Sequence, residues 1–219
     1  DGNPVAVEAA DRSLAAQRLR AAWHRDAPRV EGMAGGPPQY FLDLSELRVG
    51  TLPTLTADFS HVSYITLEGA GHASLPAGFL LNFPNLTVLD LQGNLLTEIP
   101  ADLAALPYLE SLALENNRLT ASPTMFDALR RLDRLQALVL RNNPMRLPAA
   151  AVQTLSSLTP LRYLGLSGTD TVAMAEHLPT LARLPNLENL WLSDNDLQLT
   201  PTAMQALHSM PFLDYLDLS

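Results

Sequence analysis

The chain has 219 residues, 47% hydrophobic, 17% charged and 6% aromatic, enough apolar material for a continuous core and too little polar bias for disorder. A formal net charge of −9 argues against nucleic acid as a partner, because phosphate affinity rests on clustered Lys and Arg. The absence of cysteine removes disulfides, thiolate metal ligands and thiol nucleophiles, so packing alone must hold the fold. No run approaches the roughly 18 to 20 apolar residues of a membrane span, and the opening DGNPVAVEAADRS lacks a secretion-signal pattern. All 14 basic residues are Arg, which leaves arginine-biased codon usage and a selected lack of lysine as open readings.

Residues 1–40 stand apart from the remainder of the chain. SLAAQRLRAAWHRDAPR places Leu14, Leu19, Ala22 and Trp23 on one helical stripe with Ser13 as its cap, and GMAGGPPQ reads as a linker. The segment is expected to be a helical cap; an independent binding peptide is the alternative. From residue 41 to 219 the chain repeats itself. LTVLDLQGNLL from Leu86 recurs as LESLALENNRL from Leu109, LQALVLRNNPM from Leu135, LRYLGLSGTDT from Leu161 and LENLWLSDNDL from Leu187. The central apolar pairs are Leu42/Leu44, Ile65/Leu67, Leu89/Leu91, Leu112/Leu114, Leu138/Leu140, Leu164/Leu166, Leu190/Leu192 and Leu216/Leu218, spaced 23, 24, 23, 26, 26, 26 and 26.

Eight phased copies of LxxLxLxxNxL are the signature of leucine-rich repeats. The predicted fold is an α/β solenoid, curved and right-handed. Its parallel β-sheet lines the concave face, short helices or 3₁₀ turns cover the convex face, and a helical cap precedes it. The eighth copy, LDYLDLS, stops at Ser219 before its turn and return, which reads as a truncated repeat of a longer protein.

Within each repeat the two leucines of LxL point to one side and the residue between them to the other. Asn94, Asn117, Asn143 and Asn195 recur after the strands and are expected to form a structural ladder, their amides satisfying buried backbone groups. Leu47, Ala70 and Thr169 interrupt it, and His72 stands where leucine is expected. On the return side, PADLAALP from Pro100 has room only for a brief helix or 3₁₀ turn. The longer repeats have room for helices over Thr124 to Leu132, Pro148 to Leu158, Thr171 to Leu184 and Thr200 to Met210.

The residues flanking each LxL pair form one concave surface that the core does not dictate. It carries Asp43, Tyr64, Thr66, Glu68, Asp90, Gln92, Glu115, Arg141, Tyr163, Trp191 and Tyr215, acidic in its first half and aromatic in its second. Tyr and Trp are frequent interface anchors, so these eleven are the candidate partner-binding residues, with aromatic packing across strands as the competing reading. No HExxH, phosphate loop or GxSxG elbow is present. His24, His61, His72, His177 and His208 are scattered without ligand spacing. No catalytic residue, metal or cofactor is expected, and an acidic stripe on an open sheet reads as a solvated face before a hydrolase site.

DLSELRVGTLPTLTADFSHVSYITLEGAG, followed by FPNLTVLDLQGN and the 26-residue repeats, resembles the leucine-rich region of large multidomain bacterial toxins and effectors that carry a NEL-type ubiquitin-ligase domain. The helical lead-in LAAQRLRAAWHRDAPR looks like the same family's pre-repeat segment. The resemblance implies a secreted protein acting in the host cytoplasm. Its repeats would bind a protein partner, either a host target or the protein's own catalytic domain, and the ligase cysteine would lie outside this cysteine-free chain. An adhesin or cell-surface recognition module is the alternative.

Overall fold

The computed structural model describes residues 39–45, 59–169 and 174–219, together with Gln17, Arg29, Val30, Leu52 and Leu55. The expected cap helix, its cap Ser13 and the stripe residues Leu14, Leu19, Ala22 and Trp23 lie outside the described residues, as do Leu47 and nearly all of GMAGGPPQ. Gln17 is helical. At the other end of that segment β1 (Arg29–Val30) pairs antiparallel with β2 (Gln39–Asp43). No periodicity marks β1, since two residues are too few to show alternation.

The sheet continues through β3 (Val62–Thr66), β4 (Val88–Asp90), β5 (Ser111–Ala113), β6 (Ala137–Val139), β7 (Tyr163–Gly165), β8 (Asn189–Trp191) and β9 (Tyr215–Asp217). Its strand order is the chain order, and β2 to β9 are parallel neighbours. Parallel neighbours need a crossover, and each repeat supplies one on the far side of the core. Leu42, Ile65, Leu89, Leu112, Leu138, Leu164, Leu190 and Leu216 lie side by side in register. All but Leu216 of this row are buried, and with the second leucines of the pairs they make one core running the length of the sheet. The architecture is an open leucine-rich-repeat solenoid.

Repeat length decides what forms on the convex side. The short repeats hold only 3₁₀ turns, Leu80–Asn82 and Ala101–Ala105. Where helix is lacking, Phe59, Phe79 and Phe83 fill the space, with the Phe83 ring 5.2 Å from Phe59 and 5.5 Å from Phe79. The longer repeats form α1 (Pro123–Leu129), α2 (Ala149–Ser156), α3 (Met174–Leu181) and α4 (Pro201–His208). Proline begins α1 and α4 at a position with no intrahelical partner to lose. Ser122 and Thr200 cap them, the Ser122 hydroxyl accepting from the Met125 amide at 3.2 Å and the Thr200 hydroxyl from the Ala203 amide at 3.1 Å. Each helix turns a stripe inward, such as Met125, Phe126 and Leu129 in α1.

Between strand and return, asparagine side chains stitch repeats together. The Asn143 amide nitrogen donates to the Leu114 carbonyl one repeat earlier and to the Leu140 carbonyl of its own repeat, both at 3.0 Å, and its oxygen accepts from the Leu119 amide. Asn94, Asn117 and Asn195 make the same kind of bridge. At the Thr169 break the threonine hydroxyl donates to the Leu166 carbonyl at 2.8 Å and lies 3.3 Å from the Asn195 side-chain oxygen of the next repeat. The Met145 amide donates to the Asn143 carbonyl at 2.7 Å. The shorter threonine side chain thus serves its own turn, and the Thr169 amide donates to Asn195 across the repeats. His72 is buried, its Nε2 meets no partner, and burial lowers its pKa from the ordinary 6.5.

Candidate functional site: the concave strand face

Three columns of side chains project from the concave side. The first runs Phe41, Tyr64, Val88, Ser111, Ala137, Tyr163, Asn189, Tyr215, and the second Asp43, Thr66, Asp90, Ala113, Val139, Gly165, Trp191, Asp217, each in strand register. The third follows the strands as Ser45, Glu68, Gln92, Glu115, Arg141, Ser167, Ser193 and Ser219. Parallel pairing therefore brings the eleven sequence-predicted positions onto one surface, although residues such as Asp43 and Tyr215 stand at its opposite ends.

The acidic end is internally bonded. Asp90 accepts from the Gln92 amide at 3.0 Å and from the Gln92 side chain at 3.2 Å. Asp43 accepts from the Ser45 amide at 2.9 Å. Thr66 is buried, its hydroxyl 3.1 Å from that of Ser45 and within 3.5 Å of Asp90, so it positions its neighbours and offers little surface. Phe41 and Tyr64 meet edge to face at 4.6 Å. Burial raises the Tyr64 pKa above the usual 10, and Asp90, Glu68 and Asp43 raise it further by disfavouring a phenolate. Glu68 is exposed, and Gln92 and Glu115 are half-buried.

The other end is aromatic. Tyr163 is 37% exposed and Tyr215 46%, while Trp191 is half-buried with its ring 5.6 Å from Tyr215. The arrangement combines both readings of these residues, since Trp191 and Tyr215 pack on each other and still present area outward. At the last strand, the Ser219 amide and then its hydroxyl lower the Asp217 pKa below the ordinary carboxylate value. Arg141 stands between the two ends.

A second exposed region, absent from the sequence-predicted surface, lies on the rim before the strands. Asn85 and Asn186 there donate to loop carbonyls of the preceding repeat, at 2.8 Å to Ser60 and 2.9 Å to Thr159. At the equivalent positions stand Tyr108 and Phe212, 41% and 60% exposed. The Arg134 guanidinium lies 4.8 Å above the Tyr108 ring, and Arg162 pairs with Glu188 at 2.8 Å. A groove of about 550 Å³ opens between Arg134, Arg162 and Phe212. The signal for this rim was the exchange of Asn for an aromatic in LPYL and MPFL, visible only once FPNL and LPNL are aligned with them.

The geometry offers an open, curved surface whose carboxylates spread along a sheet rather than converge. Among the described residues no helix is long and apolar enough to cross a membrane. Residues 60–119 match the family model described as Leucine rich repeat. The chain is similar to an uncharacterized leucine-rich repeat-containing protein of Schizosaccharomyces pombe, 37% identical over 71 residues, which are 32% of this chain and 11% of that protein. It is similar in structure to a leucine-rich-repeat protein of Leptospira interrogans (TM-score 0.56, 25% identity, covering 73% of this chain and 40% of that one). It also resembles internalin C2 of Listeria monocytogenes (TM-score 0.58, 23% identity, 73% and 62%). The chain thus spans less than two thirds of these proteins. Motif, sheet register and these likenesses agree on a leucine-rich-repeat solenoid, a fold that generally serves protein–protein interaction and typically carries no enzymatic activity.

Proposed function

We propose that this chain is the partner-recognition region of a secreted bacterial effector, selecting a host protein, or restraining its own catalytic domain, for a ubiquitin-ligase activity carried elsewhere in the protein. The observation that carries the recognition role is the concave face, where Tyr163, Trp191 and Tyr215 present aromatic area beside a charged stripe on a rigid sheet. The ligase context is supported by the likeness of the DLSELRV…DFSHVSYITLEGAG stretch to NEL-type effectors, and by a chain with 14 Arg and no Lys. A segment held next to a ligase is spared self-modification when it offers no acceptor amine.

The test supplies those amines. In the full-length protein, R130K, R131K and R183K place lysines at exposed positions without changing charge. The expected result is new ubiquitin conjugates mapping to these lysines in a reconstituted ligase reaction. Conjugation unchanged from the parent protein would remove the ligase context and leave codon usage as the reason for the missing lysines. For the recognition role, Y163A with W191A is expected to weaken partner binding by at least about tenfold while the thermal midpoint holds.

A further inference from the structure

Arg141 is the single cation among the side chains that β2 to β9 and their following residues present on the concave face. The carboxylates of Asp43, Glu68, Asp90 and Glu115 precede it along the sheet, and the aromatic cluster follows, with Asp217 at the last strand. Arg141 is also held in place. Gly165 on the neighbouring strand has no side chain, and a Cβ there would fall 3.1 Å from the Arg141 Cγ and 3.2 Å from its Cδ. The arginine stem therefore lies in space that the glycine leaves open. Its Nε is enclosed and donates to no acceptor. With its stem seated over the glycine, the guanidinium end suits a carboxylate, whose two oxygens fit the planar fork.

Resting on the recognition role just proposed, we infer that the concave face binds an extended polypeptide segment with a fixed order of side chains. An acidic residue meets Arg141. A Lys or Arg about four residues to one side meets Asp90 and Glu68, and an apolar or aromatic residue about one or two residues to the other side meets Trp191. The spacing comes from the sheet. Asp90 stands on β4 and Trp191 on β8, while the Arg141 stem, rooted after β6, leans over Gly165 of β7. Adjacent strands lie roughly 4.8 Å apart, so the three strands back to Asp90 span about 14 Å, about four residues of an extended chain at roughly 3.3 Å each, and the one strand on to Trp191 about 5 Å, or one to two residues. Charge complementarity fixes the order: a segment with the acidic residue over Glu68 or Asp90 meets like charge.

A phage-displayed library of random 12-residue peptides, selected against the 219-residue chain, tests the order. The expected consensus has Asp or Glu at its centre, with Lys or Arg about four residues to one side and an apolar side chain about one or two residues to the other. A synthetic consensus peptide should lose at least about tenfold in affinity with R141E, and selection on R141E should exchange the central acid for a base. G165A changes no charge but displaces the arginine stem, and should weaken the same peptide several-fold. R141Q serves in place of R141E should the reversal fail to fold. Peptides that bind without a central acid, or that R141E selects equally, overturn the order while leaving a concave binding face if Y163A/W191A abolishes their binding. Peptides insensitive to every concave substitution sink the recognition role as well. Failure to enrich any peptide overturns the inference, because the face would then not read extended segments.

Discussion

Asn143 sits with one amide group between two turns, and the bonds it makes serve backbone atoms that water cannot reach. Asn143→Ala would take a partner from the Leu140 carbonyl and the Leu119 amide and leave the Leu114 carbonyl to Asn117. Urea unfolding should show a loss of about 2–4 kcal/mol, the cost of abandoning buried polar groups. His72 is the opposite case, a polar side chain where leucine was expected, kept neutral by its surroundings. Its folded-state pKa is depressed, so the unfolded chain binds the proton more readily. Stability is therefore present above the unfolded value near 6.5 and declines as pH falls through that value and below it. His72→Leu should flatten the dependence of the urea midpoint between pH 7.5 and 5.0; an identical profile in both proteins would acquit this histidine. Side chains whose role follows from their place in the repeat were readable in the sequence, as these asparagines were. Arg141, by contrast, reveals its setting only with Gly165 beside it, a relation 24 residues distant in the chain and one strand distant in space.

At the level of elements, the change from 3₁₀ turn to helix follows the change in repeat length, and that much was legible beforehand. The ends were less so. The expected helix over Thr124 to Leu132 closes at Leu129, because the residues after it must turn back toward β6. The pattern of apolar residues continues through Leu132, which is buried without being helical. Caps were better signposted. Ser122→Ala and Thr200→Ala each remove one side-chain acceptor at a helix start and should each cost about 1 kcal/mol in chemical denaturation. The same substitution at Thr124, whose hydroxyl lies on the exposed side near Ser122, should cost distinctly less.

Across the whole molecule the core is a file of leucines, each touching mainly its counterparts in the adjoining repeats. Leu138 occupies the middle of that file and is fully enclosed. Leu138→Ala should destabilise the protein by about 2–5 kcal/mol, the range for emptying a packed aliphatic site. Hydrogen exchange should then quicken most in β5, β6 and β7 and least toward the ends. Uniform quickening would mean the solenoid behaves as one cooperative block.

Leu138, Leu164, Leu190 and Leu216 succeed one another at a constant 26 residues and pair as consecutive rungs. A stretch of that length is thus interchangeable with its neighbour: copying it in or cutting it out would restore the backbone path on both sides. What would change is the distance from Arg141 to the aromatic patch, by one rung. Such a lineage could retune the length of the sequence it reads by tandem duplication, without having to invent a new fold.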